Sequence, residues 1–517
     1  MMKVHILDSL TWLYGDSAVP ARPARHLDVD VARGGTAAAQ VLVESSGPVT
    51  VKAAGRCARV HPLLAVPVEK NTGPVGFVRK KGQSNPHVTR QAPFEVFDAI
   101  GPPDGQARPG DGRAAFLVQV PIPRGARPGR RDVAIEVHTP QGNARLNLGV
   151  TVHPARIPPV SAGTLKYTNW FSLANMADRH GLAPWSPGHW RMIRRYADLM
   201  VHGRQNIFWL TAPELFEMTP AGCRLRVRRL RRLVKLFTDA GMHYIEGPHL
   251  ARRLGGWKTE RFAVAGRPKL PASHGPGAEW VGSMCRQLQQ QIDRHGWQDR
   301  WLQHIADEPI DANADDYRLI AGIVRRHMPG VRVIDAAMSA RLAEAIDIWV
   351  PQNWHYQRDR AFFRRRRDLG DEVWHYTCCY PGGPYLNRLL DGELLRPLLL
   401  HWANALYDLP GFLHWGLNQY KRSQDPFTQS VVDHGDGNQL PAGDTHIVYP
   451  GPGGPLSSVR LEAQREGAED YELLRRLKRK DPARAQAVLR SVIRSFKDYT
   501  KDVRAFRRAR RRLLRNV

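Results

Sequence analysis

Two carboxylates stand side by side, Asp307 and Glu308, after the apolar run WLQHIA and before a proline. A glycosidase that uses two separate carboxylates sets them on opposite sides of the sugar ring, about 5 Å or more apart. Adjacent residues do not easily straddle a ring. They suit substrate-assisted hydrolysis, in which the sugar's own 2-acetamido oxygen attacks the anomeric carbon. One acid then holds and polarises the acetamido N–H, while the other protonates the leaving oxygen and later activates water. The charge of Asp307 favours a protonated Glu308, the form a general acid needs near neutral pH. The same letters also read as a helix start, since acids favour a helix's first turn and Asp311 or Asn313 could cap it. Spacing alone leaves both readings open.

The elements around the pair favour a site. After the proline-rich stretch ARIPPVSAG, short apolar runs alternate with helical patterns. The runs are TLKYTNWF, NIFWLT, HYIEGPHL, WLQHIADEP, VRVIDAAMS, IDIWVPQ, EVWHYTCC and GFLHWGLN. Eight such strands with helices between them predict a (β/α)8 TIM barrel, whose reactive groups sit at the C-terminal ends of the strands. The acid pair falls at that end of the fourth strand, and Pro309 removes a backbone donor there. Ahead of the barrel, HLDVDVARG, AAAQVLVESS, AAFLVQVPIP and RRDVAIEVHTP alternate apolar and polar residues, which predicts an all-β sandwich. Behind it, SSVRLEAQREGAEDYELLRRLKRK opens a basic helical C-terminal extension. The expected division is a β-sandwich over 1–158, a catalytic barrel over 159–460 and a helical basic region over 461–517.

Other residues at strand ends are candidate sugar contacts. Flat rings stack on the apolar faces of sugars. Trp354 and Tyr356 follow the sixth strand, Tyr376 lies in the seventh and Trp415 in the eighth. A Tyr376 hydroxyl could hold the acetamido oxygen for attack. Asn418 and Asn169 end strands eight and one, where an amide binds sugar hydroxyls or caps a turn. Glu246 and His249 end strand three, next to the acids, while His304 inside strand four reads as a satisfied core histidine. Alternation puts Trp374 and Tyr376 on one strand face. Without an HExxH or CxxC spacing, no catalytic metal or other cofactor is expected.

These segments together resemble glycoside hydrolase family 123. The likeness rests on ADEP, VPQNWHYQ, WHYTCCYP, GFLHWGLNQY and above all GDTHIVYPGPGGPLSSVRLEAQREGAEDYELL, with VQVPIPRGARPGRRDVAIEV similar to the family's N-terminal sandwich. The resemblance implies a retaining β-N-acetylgalactosaminidase in which an Asp-Glu pair carries the reaction. Asp307 then orients the acetamido group and Glu308 is the acid/base. Relatives of this kind are typically exported, and this chain shows no export signal. The alternatives are a non-catalytic carbohydrate-binding relative, or a binder of nucleic acid or an anionic surface through the basic tail.

Bulk composition narrows those alternatives. The 517 residues carry a net charge of +27. From Tyr471 to Val517 there are seventeen Lys/Arg against four Asp/Glu, so about half of the excess sits in the last 47 residues. No zinc-finger spacing, phosphate loop or aromatic RNA-binding signature accompanies it, so a solvated helical face is the preferred reading and a nucleic-acid partner is not expected. The five scattered cysteines do not make a disulfide framework. With no apolar stretch near 18 residues and no signal-peptide core, a cytoplasmic chain acting on a glycan or glycoconjugate is expected.

Overall fold

The structure, a computed structural model, describes residues 3–109, 111–219 and 222–517. It is multidomain, with large sheets followed by mixed strands and helices. The N-terminal part holds two five-stranded sheets. One runs Lys3–Asp8, Thr36–Glu44, Arg113–Pro121, Arg59–Val68, Phe94–Ile100, antiparallel throughout. The other runs His26–Arg33, Gly142–Arg156, Gly129–Thr139, Val49–Ala53, Gln106–Ala107, with its first pair parallel. Alternate side chains of both sheets enter one core: Val41, Val43, Phe116 and Val118 from the first, Ile135, Val137, Leu148 and Val150 from the second. That is the inward half of the period-2 pattern in the sequence.

The eight apolar runs form short parallel strands. Six segments pair in chain order: Ile207–Trp209, Tyr244–Glu246, Trp301–Gln303, Arg332–Asp335, Ile348–Trp349 and Glu372–Val373. A second sheet places Lys166–Asn169 beside Gly411–His414, and that beside His375–Thr377. Only Trp374 separates Glu372–Val373 from His375–Thr377, and its N–H donates to the Trp349 carbonyl at 2.8 Å. At the other seam the Asn206 N–H donates to the Tyr167 carbonyl at 3.2 Å. One apolar cluster draws on all eight runs, through Ile207, Leu302, Ile334, Ile348, Trp374, Tyr376 and Leu413, with Trp170 and the half-buried Tyr244. Trp374 and Tyr376 do share this face, as alternation requires.

The outer helices follow the sequence pattern. Pro187–His202, Val227–Ala240, Gly275–His295 and Ala314–His327 each present one buried stripe. Leu395–Tyr407 is buried on every side. It lies under Val459–Lys480 so closely that a Cβ on Gly467 would stand 2.2 Å from the Leu398 carbonyl oxygen. Among the described residues no helix is long and apolar enough to cross a membrane. All five cysteines are free.

Three insertions escaped the periodicity: the hairpin Phe216–Thr219 with Gly222–Leu225, the antiparallel sheet Ala251–Arg253, Phe262–Val264, Arg267–Pro271, and the helices Asn353–Arg358 and Arg360–Asp368. RLAEA makes only the 3-10 turn Ala340–Leu342. The C-terminal basic region forms the helices Val459–Lys480, Pro482–Arg490 and Val503–Asn516, and most of its Lys and Arg face solvent. Arg507 pairs with Asp8 at 2.8 Å and Arg511 with Asp30 at 2.7 Å, both on the sandwich. Arg460, fully buried, pairs with Asp98 at 2.9 Å. Arg507 and Arg511 thus tie the last helix to acids of the first domain, while most Lys and Arg of this region stay exposed.

Candidate active site

The strand Trp301–Gln303 ends before the acid pair, so Asp307 and Glu308 stand on the loop just beyond it. Asp307 is exposed and Glu308 half-buried. Neither carboxylate has an Arg or Lys nitrogen within 4 Å among the described residues. The helix that follows is not capped by them either. Its N-cap position is Asn313, whose Oδ1 closes the preceding turn by accepting from the Ile310 N–H at 2.8 Å. The helix-start reading therefore belongs to Asn313, and the acids have no such structural duty.

Glu308 has φ of 47°, in the left-handed region. For a non-glycine residue ahead of a proline this conformation is disfavoured and costs on the order of 1–3 kcal/mol. Contacts on both sides hold it. The Arg253 guanidinium donates to the Glu308 carbonyl, and the Tyr376 hydroxyl donates to Glu308 Oε1. Strain that the surroundings over-determine in this way is characteristic of working groups. Here it turns the Glu308 carboxyl to the end of the seventh strand.

Beneath the acids lies a closed ionic network. His304 Nε2 bonds Glu246 Oε1 at 2.6 Å and Nδ1 bonds Asp335 Oδ1 at 2.7 Å. Burial opposes a charged imidazole, but the Asp335 and Glu246 carboxylates outweigh it and lift the pKa to about 10. His304 is therefore a buried cation between two anions, the satisfied histidine its place inside the strand suggested. Asp335 also accepts from the Ile305 N–H at 3.0 Å and from the Tyr317 hydroxyl.

Both acids of the pair are raised. For Glu308, burial acts first and the charge of Asp307 adds to it, against the Tyr376 hydrogen bond and Arg253. For Asp307, burial and the Asp335 charge raise the carboxyl while Arg253 and His304 pull it back. Because Asp307 touches solvent its shift is tempered, and the half-buried Glu308 holds its proton to the higher pH. One neighbour ionised and the other protonated is the division that acid/base work at a shared centre needs.

The other sequence candidates divide. Tyr376 reaches Glu308 as described. Trp415 is half-buried, and its Nε1 donates to Asp444 Oδ1 at 3.2 Å. His249 is half-buried with Nε2 unpartnered, 3.8 Å from Asp335. His249, His304 and Asp335 come close enough to hold a cation, and both ring nitrogens of His304 are already bonded to Glu246 and Asp335. Trp354 lies on the helix after the sixth strand, with Nε1 on Gln352 Oε1 at 2.5 Å.

Four candidates make their contacts within the protein. Glu246 is fully buried, its oxygens taken by Thr168, Trp170 and His304. Asn169 is bonded to Tyr167, Gln205 and Arg388. Asn418 bridges both backbone groups of Ser172. Tyr356 packs among Phe363, Tyr407 and Phe496. Sequence reasoning missed Arg253, Asp335 and Asp444. Asp335 ends the fifth strand and was findable by the strand-end rule. Asp444 lies in a long loop, fully buried with Oδ2 unpartnered, and burial lifts its pKa to about 7. Arg253 sits in an insertion with no periodic signal. A tight cavity of about 50 Å³ at the seam of sandwich and C-terminal helices is lined by Asp30, Glu466, Arg507 and Arg510, and contains none of these groups.

Residues 269–477 match the family described as glycoside hydrolase 123, catalytic domain. A family 123 glycoside hydrolase from Clostridium perfringens, studied for glycolipid glycan hydrolysis, superimposes with a TM-score of 0.73 at 14% identity, over 99% of this chain and 97% of that one. A Bacteroides ovatus GH5 xyloglucanase gives 0.34 at 10% identity over 89% and 100%, and a Rhizomucor miehei GH5 mannosidase 0.36 at 11% over 60% and 94%. No curated protein sequence matches. The resemblance to family 123 read from the sequence is thereby borne out, and the superposition shows a shared fold.

Proposed function

We propose that this chain, with its family 123 catalytic domain over residues 269–477, is a retaining hydrolase of terminal β-linked 2-acetamido-2-deoxy sugars, N-acetylgalactosamine foremost. The observation that carries the reading is the strained, doubly held Glu308 beside a solvent-facing Asp307. The two parallel sheets, hydrogen-bonded across both seams and filled by one cluster, support a closed (β/α)8 barrel with the acids at its mouth. The division into sandwich, barrel and C-terminal helices goes with it, the last part beginning with the helix at Val459.

In the reaction, the Asp307 carboxylate accepts the acetamido N–H and polarises its carbonyl. The carbonyl oxygen bonds to the anomeric carbon as the bond to the leaving oxygen breaks, and Glu308 gives its proton to that oxygen. Glu308, now ionised, takes a proton from water, which attacks the anomeric carbon and reopens the oxazolinium ring. Two inversions leave the configuration retained. Tyr376 steers the Glu308 carboxyl in the free protein and bonds the acetamido oxygen once sugar arrives. Trp415, Trp354 and His249 complete the proposed sugar contacts. The reaction calls on no cofactor, and the partner is a glycan or glycoconjugate.

The test is hydrolysis of an aryl β-N-acetylgalactosaminide, with the anomer first formed read by proton NMR. The β-anomer and tight inhibition by the matching thiazoline are expected. Wild type and Glu308→Gln equally inert across aryl acetamido sugars would defeat the assignment.

A further inference from the structure

Of the fourteen tryptophans, only Trp257 is exposed, at 54% of its surface. An indole left in water forgoes roughly 2 kcal/mol of burial, so the position calls for an explanation. Its surroundings give one. Trp257 lies between two strands of the insertion, Ala251–Arg253 and Phe262–Val264, and the Arg253 guanidinium stacks on it with the carbon 3.8 Å from the ring centroid. The same guanidinium donates to the Glu308 carbonyl. The indole is thus one guanidinium away from the proposed acid/base.

The loop is tied down. The Leu254 N–H donates to the Arg261 carbonyl at 3.1 Å, and the Thr259 hydroxyl donates to the Leu254 carbonyl at 2.8 Å. The Asn313 amide donates to the Thr259 carbonyl at 3.1 Å, anchoring the loop to the segment just past the acid pair. Arg253 itself has no carboxylate within 4 Å among the described residues, and that one backbone carbonyl is its only hydrogen-bond acceptor there. A flat ring and an under-used fork of donors, side by side, recognise a sugar: C–H groups on the ring, hydroxyl oxygens on the guanidinium.

We infer that Trp257 and Arg253 form the binding site for the leaving group, a hexose unit of the glycan chain beyond the scissile bond. This rests on Glu308 as the acid, because the group that protonates the leaving oxygen faces the leaving residue, and Trp257 is linked to Glu308 through the Arg253 guanidinium. Glycosides with a sugar as leaving group gain from the platform, and those with a methyl group do not.

The experiment compares a disaccharide, N-acetyl-β-galactosaminyl-galactose, with methyl N-acetyl-β-galactosaminide in wild type, Trp257→Ala and Trp257→Phe. Trp257→Ala is expected to lower kcat/KM on the disaccharide about tenfold to a hundredfold, the range of one lost stacking contact. On the methyl glycoside the change stays within about twofold. Trp257→Phe recovers part of the loss, and thiazoline inhibition, which reports only the acetamido-sugar side, stays as in wild type. Equal losses on both substrates, or none on either, overturn the inference. If wild type cleaves neither glycoside, the proposed activity fails separately. The platform is then read by saturation-transfer NMR with the same disaccharide. Transfer to the galactose protons that disappears in Trp257→Ala upholds it, and its absence in wild type, or its persistence in Trp257→Ala, overturns it.

Discussion

His304 offers the sharpest test of the electrostatics beneath the site. Its ring is fully buried and bonded at 2.6 and 2.7 Å to Glu246 and Asp335. His304→Gln removes the cation and leaves two buried carboxylates facing each other. Breaking a buried ion pair by deleting one partner costs about 3–5 kcal/mol. Linkage gives a figure of the same size. A folded pKa of about 10 against an ordinary 6.5 is worth about 5 kcal/mol, at roughly 1.4 kcal/mol per unit. The sign is fixed, because a raised pKa stabilises the fold fully below pH 6.5 and the benefit drains away as pH climbs through 10. Urea unfolding at pH 6.5 should therefore show His304→Gln about 3–5 kcal/mol less stable than wild type. Wild type itself should lose up to about 1.4 kcal/mol per pH unit from this group between pH 7 and 9.5. Nitrogen-15 shifts of the imidazole report the proton directly and should show both ring nitrogens protonated at pH 8. A His304 that titrates near 6.5, or a stability gap below about 1 kcal/mol, would refute the ion-network argument. Activity follows the same cation. It holds the Asp307 carboxyl down, so His304→Gln shifts the acid limb of kcat/KM to higher pH.

The alkaline limb of kcat/KM in wild type should fall above about pH 7, where Glu308 gives up its proton. Tyr376→Phe deletes a hydrogen bond that favours ionised Glu308, so the limb moves up by about one to two units; a downward move contradicts the assigned contact. Glu308→Gln should cost about 10²–10⁴-fold in kcat on alkyl glycosides and much less on activated aryl ones, read by steady-state kinetics. Asp98→Asn strips the buried Arg460 of its counter-ion at 2.9 Å and should cost about 3–5 kcal/mol in chemical denaturation, with sandwich and C-terminal helices loosening together.

What the sequence discloses depends on whether a residue answers to a local rule. The strands and outer helices were legible because burial imposes a period: two in Val133, Ile135 and Val137, three to four in Leu230, Leu233, Val234 and Phe237. The acids were legible because a strand end is a place the fold assigns to chemistry. Polar residues at those same ends were not separable by that rule. Glu246 and Asp335 both end strands and both turn out to clamp His304, whereas Tyr376, one strand face over, reaches Glu308. A carboxylate's availability depends on how many donors converge on it, and donors such as Thr168 and Trp170 arrive from 76 or more residues away. Insertions are worse still. Arg253 and Trp257 lie in a stretch with no amphipathic period, so nothing local distinguished them from the dozens of other basic and aromatic residues. Their place beside Glu308 comes from long-range pairing, a backbone carbonyl 55 residues along the chain. The C-terminal arginines make the same point about charge. Spacing along Val503–Asn516 shows an amphipathic helix, but not that Arg507 and Arg511 meet Asp8 and Asp30 nearly five hundred residues earlier. A basic run reads as free charge until its acids are found, and here the first domain supplies them for Arg507 and Arg511 while most of the run stays exposed.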